Sequence, residues 1–141
     1  LFIGNTDNTA ILNEVLAEKP DCAHVLGERH NPLEYLMEAG CFALSSSFEG
    51  MPISLIEALG VGAIPVCTPA GGIPNVITNG YNGILAKDIS EEAFYKAMKT
   101  YLELSDHEVQ SMRQHSLKSY EPYSMAICAK KYEEVYMNKC I

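Results

Sequence analysis

Along this chain of 141 residues, short apolar runs alternate with stretches of helical spacing. Leu1–Ile3, Ala23–Leu26, Cys41–Ser45, Ala63–Cys67 and Gly83–Ala86 read as strands, apolar on both faces rather than alternating. Between and after them the spacing predicts helices over Thr9–Lys19, Pro32–Ala39, Ile53–Leu59, Ile73–Thr78, Ser90–Leu104, Ser105–Tyr120 and Ser124–Lys139. Punctuation supports several of these limits. Asp7 or Asn8 can cap the first helix, Pro32 suits a first helical position, Gly60 and Gly62 close the helix that begins at Ile53, and Ser105-Asp106-His107-Glu108 fits a capping box. Ile11, Leu12, Val15 and Leu16 share one helix face; in the last helix Ile127, Tyr132, Val135 and Tyr136 lie near one side, and Tyr132 and Tyr136 are expected to face the core.

Strands apolar on both faces and alternating with helices indicate a parallel sheet covered on both sides. With no internal repeat, low-complexity stretch or linker, residues 1–141 read as one α/β domain with a helical C-terminal tail. Composition agrees with a packed domain: 48% of residues are hydrophobic and 20% charged. The formal net charge of −8 excludes nucleic acid as a general partner, because no basic field attracts a polyanion. Cys22, Cys41, Cys67, Cys128 and Cys140 are odd in number and lack C-x-x-C spacing, so they read as buried hydrophobes in a reducing compartment. No apolar run approaches the roughly 20 residues needed to span a bilayer. The chain starts without methionine and is expected to begin inside a longer protein.

The chemistry concentrates between Ser45 and Gly62. There Glu49 and Glu57 flank Gly50-Met51-Pro52, and a helical pattern starts at Ile53. A strand that ends in a Gly/Pro loop and opens a helix aims unpaired backbone N–H groups at the space above the sheet edge, where an anion such as phosphate binds. A carboxylate on either side accepts hydrogen bonds from hydroxyls, which phosphate does not donate. Phosphate site and hydroxyl acceptors together suggest a nucleotide-sugar ligand. Glu57 also has a structural reading, since Ser54-Leu55-Ile56-Glu57 matches the S-x-x-E capping box. Loop 68–72 can be either a tight connection or part of the site.

Ser47-Phe48-Glu49-Gly50-Met51-Pro52 through Glu57-Ala58 resembles the E-x7-E signature of retaining glycosyltransferases of family 4. Ile64-Pro65-Val66, Thr68, Gly71-Gly72-Ile73-Pro74 and Asn79-Gly80-Tyr81-Asn82-Gly83-Ile84-Leu85 follow in that family's order, while Leu1–Asn5 and Val25–Arg29 resemble its earlier strands. The resemblance covers nearly the whole chain and implies the C-terminal, nucleotide-sugar-binding domain of a GT-B enzyme, a Rossmann-like parallel sheet flanked by helices, with the usual first strand of that domain missing. It implies that Glu49 faces the donor sugar as the catalytic carboxylate, joined by the N–H groups of Gly50 and Met51. Ile53 and Ser54 would offer N–H groups to the diphosphate, Glu57 would accept from the ribose, and Gly27, Glu28 and Arg29 would lie near the base. No metal or other cofactor is expected.

The implied reaction is retaining transfer of a hexose from a uridine or guanosine diphosphate sugar to a glycan or lipid-linked acceptor, as in polysaccharide biosynthesis. The acceptor would be held by an N-terminal domain outside this chain, so the fragment alone is expected to be inactive. The implied location is cytoplasmic, peripheral at the inner membrane face in the full-length protein. Asn75 stands where the family's G-G-x-x-E loop has glutamate. Without the first strand, either Leu1–Ile3 takes its central slot or a second chain supplies the edge, giving a dimer through the exposed sheet. Alternative functions are a nucleotide-sugar domain that binds without transfer, a sugar-nucleotide epimerase and, more distantly, a flavodoxin-like response domain.

Overall fold

The computed structural model describes residues 1–4 and 9–138. The chain divides into two compact units, Leu1–Tyr35 and Leu36–Ile141. In the first unit, β1 (Phe2–Ile3) runs parallel to β2 (Val25–Gly27), with Phe2 opposite Val25 and Ile3 opposite Gly27. The helix α1 (Thr9–Glu18) joins them, and α2 (Pro32–Glu38) spans the boundary between the units. None of this unit's described residues is fully buried. The ladder of Leu1–Ile3 is with β2, anchored by Phe2 N–H to His24 O at 2.8 Å and Gly4 N–H to Gly27 O at 3.1 Å. Asp7 and Asn8, expected as caps, lie outside the described residues, as do the side chains of Ile11 and Val15 and the whole of Cys140.

The second unit is built on a parallel sheet of β3 (Cys41–Leu44), β4 (Ile64–Cys67) and β5 (Ile84–Leu85), in that spatial order. The register sets Cys41 opposite Ile64 and Leu44 opposite Cys67, then Val66 opposite Ile84. Side chains alternate across the sheet. Cys67 packs with Leu55, Leu59, Ile73, Val76 and Ile77 on one side, and Ile64 and Val66 pack with Ile84, Ala93, Ala97 and Met112 on the other. The first layer contains α3 (Ile53–Val61), and the second contains α4 (Glu91–Leu102). Every residue of β4 is buried, which explains why its sequence is apolar without alternation. α5 (Asp106–Tyr120) is tied to the strand layer by Ser116 Oγ, which donates to Ala63 O at 3.1 Å. α6 (Met125–Asn138) closes the described chain.

Local signals placed most elements within a residue or two, and the capping box of α5 is present with both of its hydrogen bonds. Four details differ. Gly60 does not end α3. It lies inside the helix with its missing Cβ facing the Tyr120 ring, and Gly62, at φ +73°, makes the left-handed cap, its N–H directed to Ala58 O and Leu59 O. The helix expected over residues 73–78 is one 3-10 turn, Ile73–Asn75, because the buried Asn82 side chain captures the next backbone groups. Its Oδ1 accepts from Thr78 N–H at 2.7 Å and its Nδ2 donates to Val76 O at 2.9 Å. Tyr132 and Tyr136, expected to face the core, are 67% and 70% exposed, since helical spacing alone does not supply a neighbour for α6. Ser54 is not a cap, as described below.

Burial pushes the thiols of Cys41 and Cys67 up to about 12, with a smaller push from Cys41 on Cys67. Both stay protonated at neutral pH and behave as small hydrophobes, whereas Cys22, expected to be buried, is exposed. In the folded chain at pH 8, Cys67 should not react with Ellman's reagent while exposed Cys22 reacts at once; rapid labelling of Cys67 would contradict this. Asn82→Ala strands two backbone groups and should lower unfolding free energy by about 2–4 kcal/mol in urea titrations. A cost near zero would show that water replaces the side chain.

Candidate functional site

Two loops leave the same end of the sheet in the second unit. Residues 45–52 follow β3 and residues 68–72 follow β4. The register that sets Leu44 opposite Cys67 brings Thr68 beside the first loop. Thr68 N–H donates to Leu44 O at 3.0 Å, and Thr68 Oγ1 donates to Ser46 O at 2.5 Å. Further along, Gly72 N–H donates to Gly50 O at 2.7 Å. Gly71 has a φ of +53°, and a Cβ there would overlap the carbonyl oxygen of Glu49; a Cβ on Gly72 would lie 2.6 Å from Gly50 O. Glycine at both positions lets the two backbones touch. Loop 68–72 is thus the wall that fixes the path of Glu49 and Gly50.

That path delivers the chain to the start of α3. Pro52 is the N-cap, at φ −69° and ψ 121°, and it has no side-chain capping bond to offer. Its carbonyl accepts from Leu55 N–H at 3.2 Å. The N–H groups of Ile53 and Ser54 precede the first intrahelical bond and have no acceptor among the described residues. Ser54 is the second helical residue, so the Ser54–Glu57 capping box is ruled out, and no capping role remains for Glu57. Glu57 lies one turn after Ile53 on the same side of the helix and is half-buried. Glu49, also half-buried, accepts a hydrogen bond from Ser46 Oγ at 2.6 Å. Around these polar groups Phe48 and Ile53 are 87% and 74% exposed, and Met51 is exposed as well.

The structure therefore brings together Glu49, Gly50, Met51, Ile53, Ser54 and Glu57 at one strand-to-helix turn. Gly27, Glu28 and Arg29 belong to the first unit, at the end of β2, with Gly27 in the left-handed region at φ +69° and Glu28 and Arg29 exposed. Asn75 is exposed at the end of the 3-10 turn. Among the described residues, no group of three or more His, Cys, Asp or Glu is arranged to hold a metal ion. The sequence assigns no role to Ser46, and Thr68 enters it only by its place in the family order and in loop 68–72. The S-x-x-E spacing of Ser46 and Glu49 was the available signal for the first, while Thr68 reaches Ser46 across 22 positions and has no local signature. The arrangement can bind an anion at the helix N-terminus and accept hydroxyl protons on either side.

Over residues 2–118 the chain matches the family described as glycosyl transferases group 1. It is 29% identical over 130 residues to the N,N'-diacetylbacillosaminyl-diphospho-undecaprenol alpha-1,3-N-acetylgalactosaminyltransferase of Campylobacter jejuni, covering 84% of this chain and 34% of that protein. It is 33% identical over 102 residues to the amylovoran biosynthesis glycosyltransferase AmsK of Erwinia amylovora, covering 65% of this chain and 25% of the relative. In fold, 96% of the chain matches 40% of Anabaena Alr3699/HepE, solved in complex with UDP-glucose, with a TM-score of 0.84 at 15% identity. A sucrose-phosphate synthase from Thermosynechococcus elongatus gives a TM-score of 0.84 at 17% identity, with 96% of this chain matching 37% of that one. The chain spans about a third or less of the length of these curated relatives.

The contact between loops makes Gly71 the sharpest local constraint. Gly71→Ala combines an unfavourable φ with backbone overlap and should cost at least about 2 kcal/mol in urea unfolding, unless the loop detaches. Detachment would appear as faster amide exchange at Gly72. A variant with wild-type stability and unchanged exchange would show that the two loops do not lean on each other.

Proposed function

The chain belongs to the glycosyl transferases group 1 family, and on that premise we propose that it is the C-terminal, donor-binding domain of a longer retaining glycosyltransferase. The donor is a nucleoside diphosphate sugar, with uridine diphosphate as the proposed carrier, and the acceptor a glycan or a lipid-linked sugar. One observation carries this reading: the N–H groups of Ile53 and Ser54, unpaired among the described residues, lie at a strand-to-helix turn with a half-buried carboxylate on each side along the chain, Glu49 and Glu57. A bare anion site gains nothing from adjacent negative charge. A ligand that carries phosphate and hydroxyls together uses all of it.

In the proposed complex the diphosphate lies on the N–H groups of Ile53 and Ser54. Glu49 accepts from sugar hydroxyls beside the Gly50 and Met51 amides, and Glu57 accepts from the ribose. As the bond between the sugar and the diphosphate lengthens, negative charge builds on the leaving group. Dipoles already fixed at the helix N-terminus meet that charge without reorganising. We assign no metal to this scheme, because the helix itself supplies the positive end. The base-facing role implied for Gly27, Glu28 and Arg29 concerns the first unit and is not needed for this assignment.

The comparisons support the choice of donor and of reaction class. HepE, which shares the fold, was solved with UDP-glucose, and the Campylobacter relative carries diphospho-undecaprenol and N-acetylgalactosaminyl transfer in its name. Membership of a transferase family favours transfer over epimerisation or binding alone. No helix among the described residues is long and apolar enough to cross a membrane. A cytoplasmic enzyme that meets its acceptor at the inner membrane face is the proposed setting.

Titration with UDP tests the assignment directly. Wild-type chain should bind UDP, and Glu57→Ala should weaken binding about tenfold, the effect of losing a hydrogen bond to a charged acceptor. Equal affinity in the two proteins would remove Glu57 from the site, and no binding by the wild type at millimolar UDP would remove the donor assignment for this chain.

A further inference from the structure

Glu49 is not a free carboxylate. Ser46 Oγ donates its only proton to Glu49 Oε1 at 2.6 Å, a short bond of the charge-assisted kind. Ser46 is itself held from the neighbouring strand. Its carbonyl accepts from Thr68 Oγ1 at 2.5 Å, and Thr68 is 1% exposed, with its N–H on Leu44 O at 3.0 Å. A continuous chain of hydrogen bonds thus runs from the end of β4, through the Ser46 backbone and hydroxyl, to the carboxylate. The backbone of Glu49 is fixed separately, by the glycine wall at Gly71 and Gly72. The two restraints come from different residues and act on different atoms.

We propose that Ser46 and Thr68 are positioning residues that hold the Glu49 carboxylate in one orientation before a ligand arrives, leaving its second oxygen for the sugar hydroxyls. The assignment rests on the donor-site reading above. Its physical basis is preorganisation. A glutamate side chain has three rotatable bonds, and ordering it during binding opposes binding, whereas a carboxylate already tethered has lost that freedom beforehand. Ser46 acts through Glu49 and need not touch the ligand. A purely structural role for this corner would be filled by the Thr68 bond to the Ser46 carbonyl, which Ser46→Ala leaves in place. The serine hydroxyl is therefore separable from the fold of the loop.

The test compares UDP with UDP-glucose on the wild-type chain, Ser46→Ala, Ser46→Thr, Glu49→Ala and the double variant Ser46→Ala/Glu49→Ala. In the two single serine variants affinity for UDP should stay within about twofold of wild type, because the diphosphate and ribose contacts are elsewhere. The preference for UDP-glucose over UDP should fall about tenfold in Ser46→Ala, return in Ser46→Thr and fall no further in the double variant than in Glu49→Ala. A wild-type preference in Ser46→Ala, or additive losses in the double variant, would overturn the proposal. Carbon-13 relaxation of the Glu49 side chain gives a second reading without ligand. Ser46→Ala and Thr68→Val should both raise its mobility; unchanged mobility overturns the positioning role whatever the ligand data show. If the wild type does not prefer UDP-glucose while Ser46→Ala still mobilises Glu49, the sugar assignment fails and the tether stands.

Discussion

The meeting of two strand-end loops governs this site. β4 is buried along its whole length, and its ladder with β3 admits one register. That register fixes the height of residues 68–72 relative to residues 45–50. Once it is set, Thr68 reaches the Ser46 carbonyl and Gly72 reaches the Gly50 carbonyl. Gly71 then has no room for a side chain. The start of α3, the direction of its first N–H groups and the tether on Glu49 all follow from that contact. A slip of one residue would turn every side chain of β4 to the opposite face and separate the loops.

In its proposed role the site also reconciles an acidic protein with an anionic ligand. A net charge of −8 repels polyanions at long range. Local N–H dipoles at the head of α3 provide attraction that falls off within a turn. Glu49 and Glu57 sharpen the choice further. They oppose a bare phosphate and favour a molecule whose hydroxyls can donate to them. In the proposed role, carboxylates that look unfavourable beside a diphosphate supply the selectivity for a sugar nucleotide.

Much of this was legible in the sequence because much of it is local. The α5 capping box, the strand-to-helix turn after β3 and the grouping of Glu49, Gly50, Met51, Ile53, Ser54 and Glu57 all lie within short continuous segments. Features that depend on a distant partner were not. Gly60 reads as a helix stop until Tyr120 is seen to pack on it, and Asn82 ends a predicted helix by reaching back to Val76 and Thr78. Ser54 reads as a cap until Pro52 is found to hold that position. Tyr132 and Tyr136 follow a core-like period in a helix that leaves them exposed. Thr68 and Ser46 are 22 positions apart, and only the β3–β4 register brings them together.

The most direct test of the central claim is to locate the diphosphate. Crystals of the chain grown or soaked with UDP-glucose should show its phosphate oxygens about 2.7–3.2 Å from the backbone nitrogens of Ile53 and Ser54. The sugar should lie toward Glu49 and the ribose toward Glu57. A diphosphate bound away from the head of α3, with those two amides still facing solvent, would contradict the account.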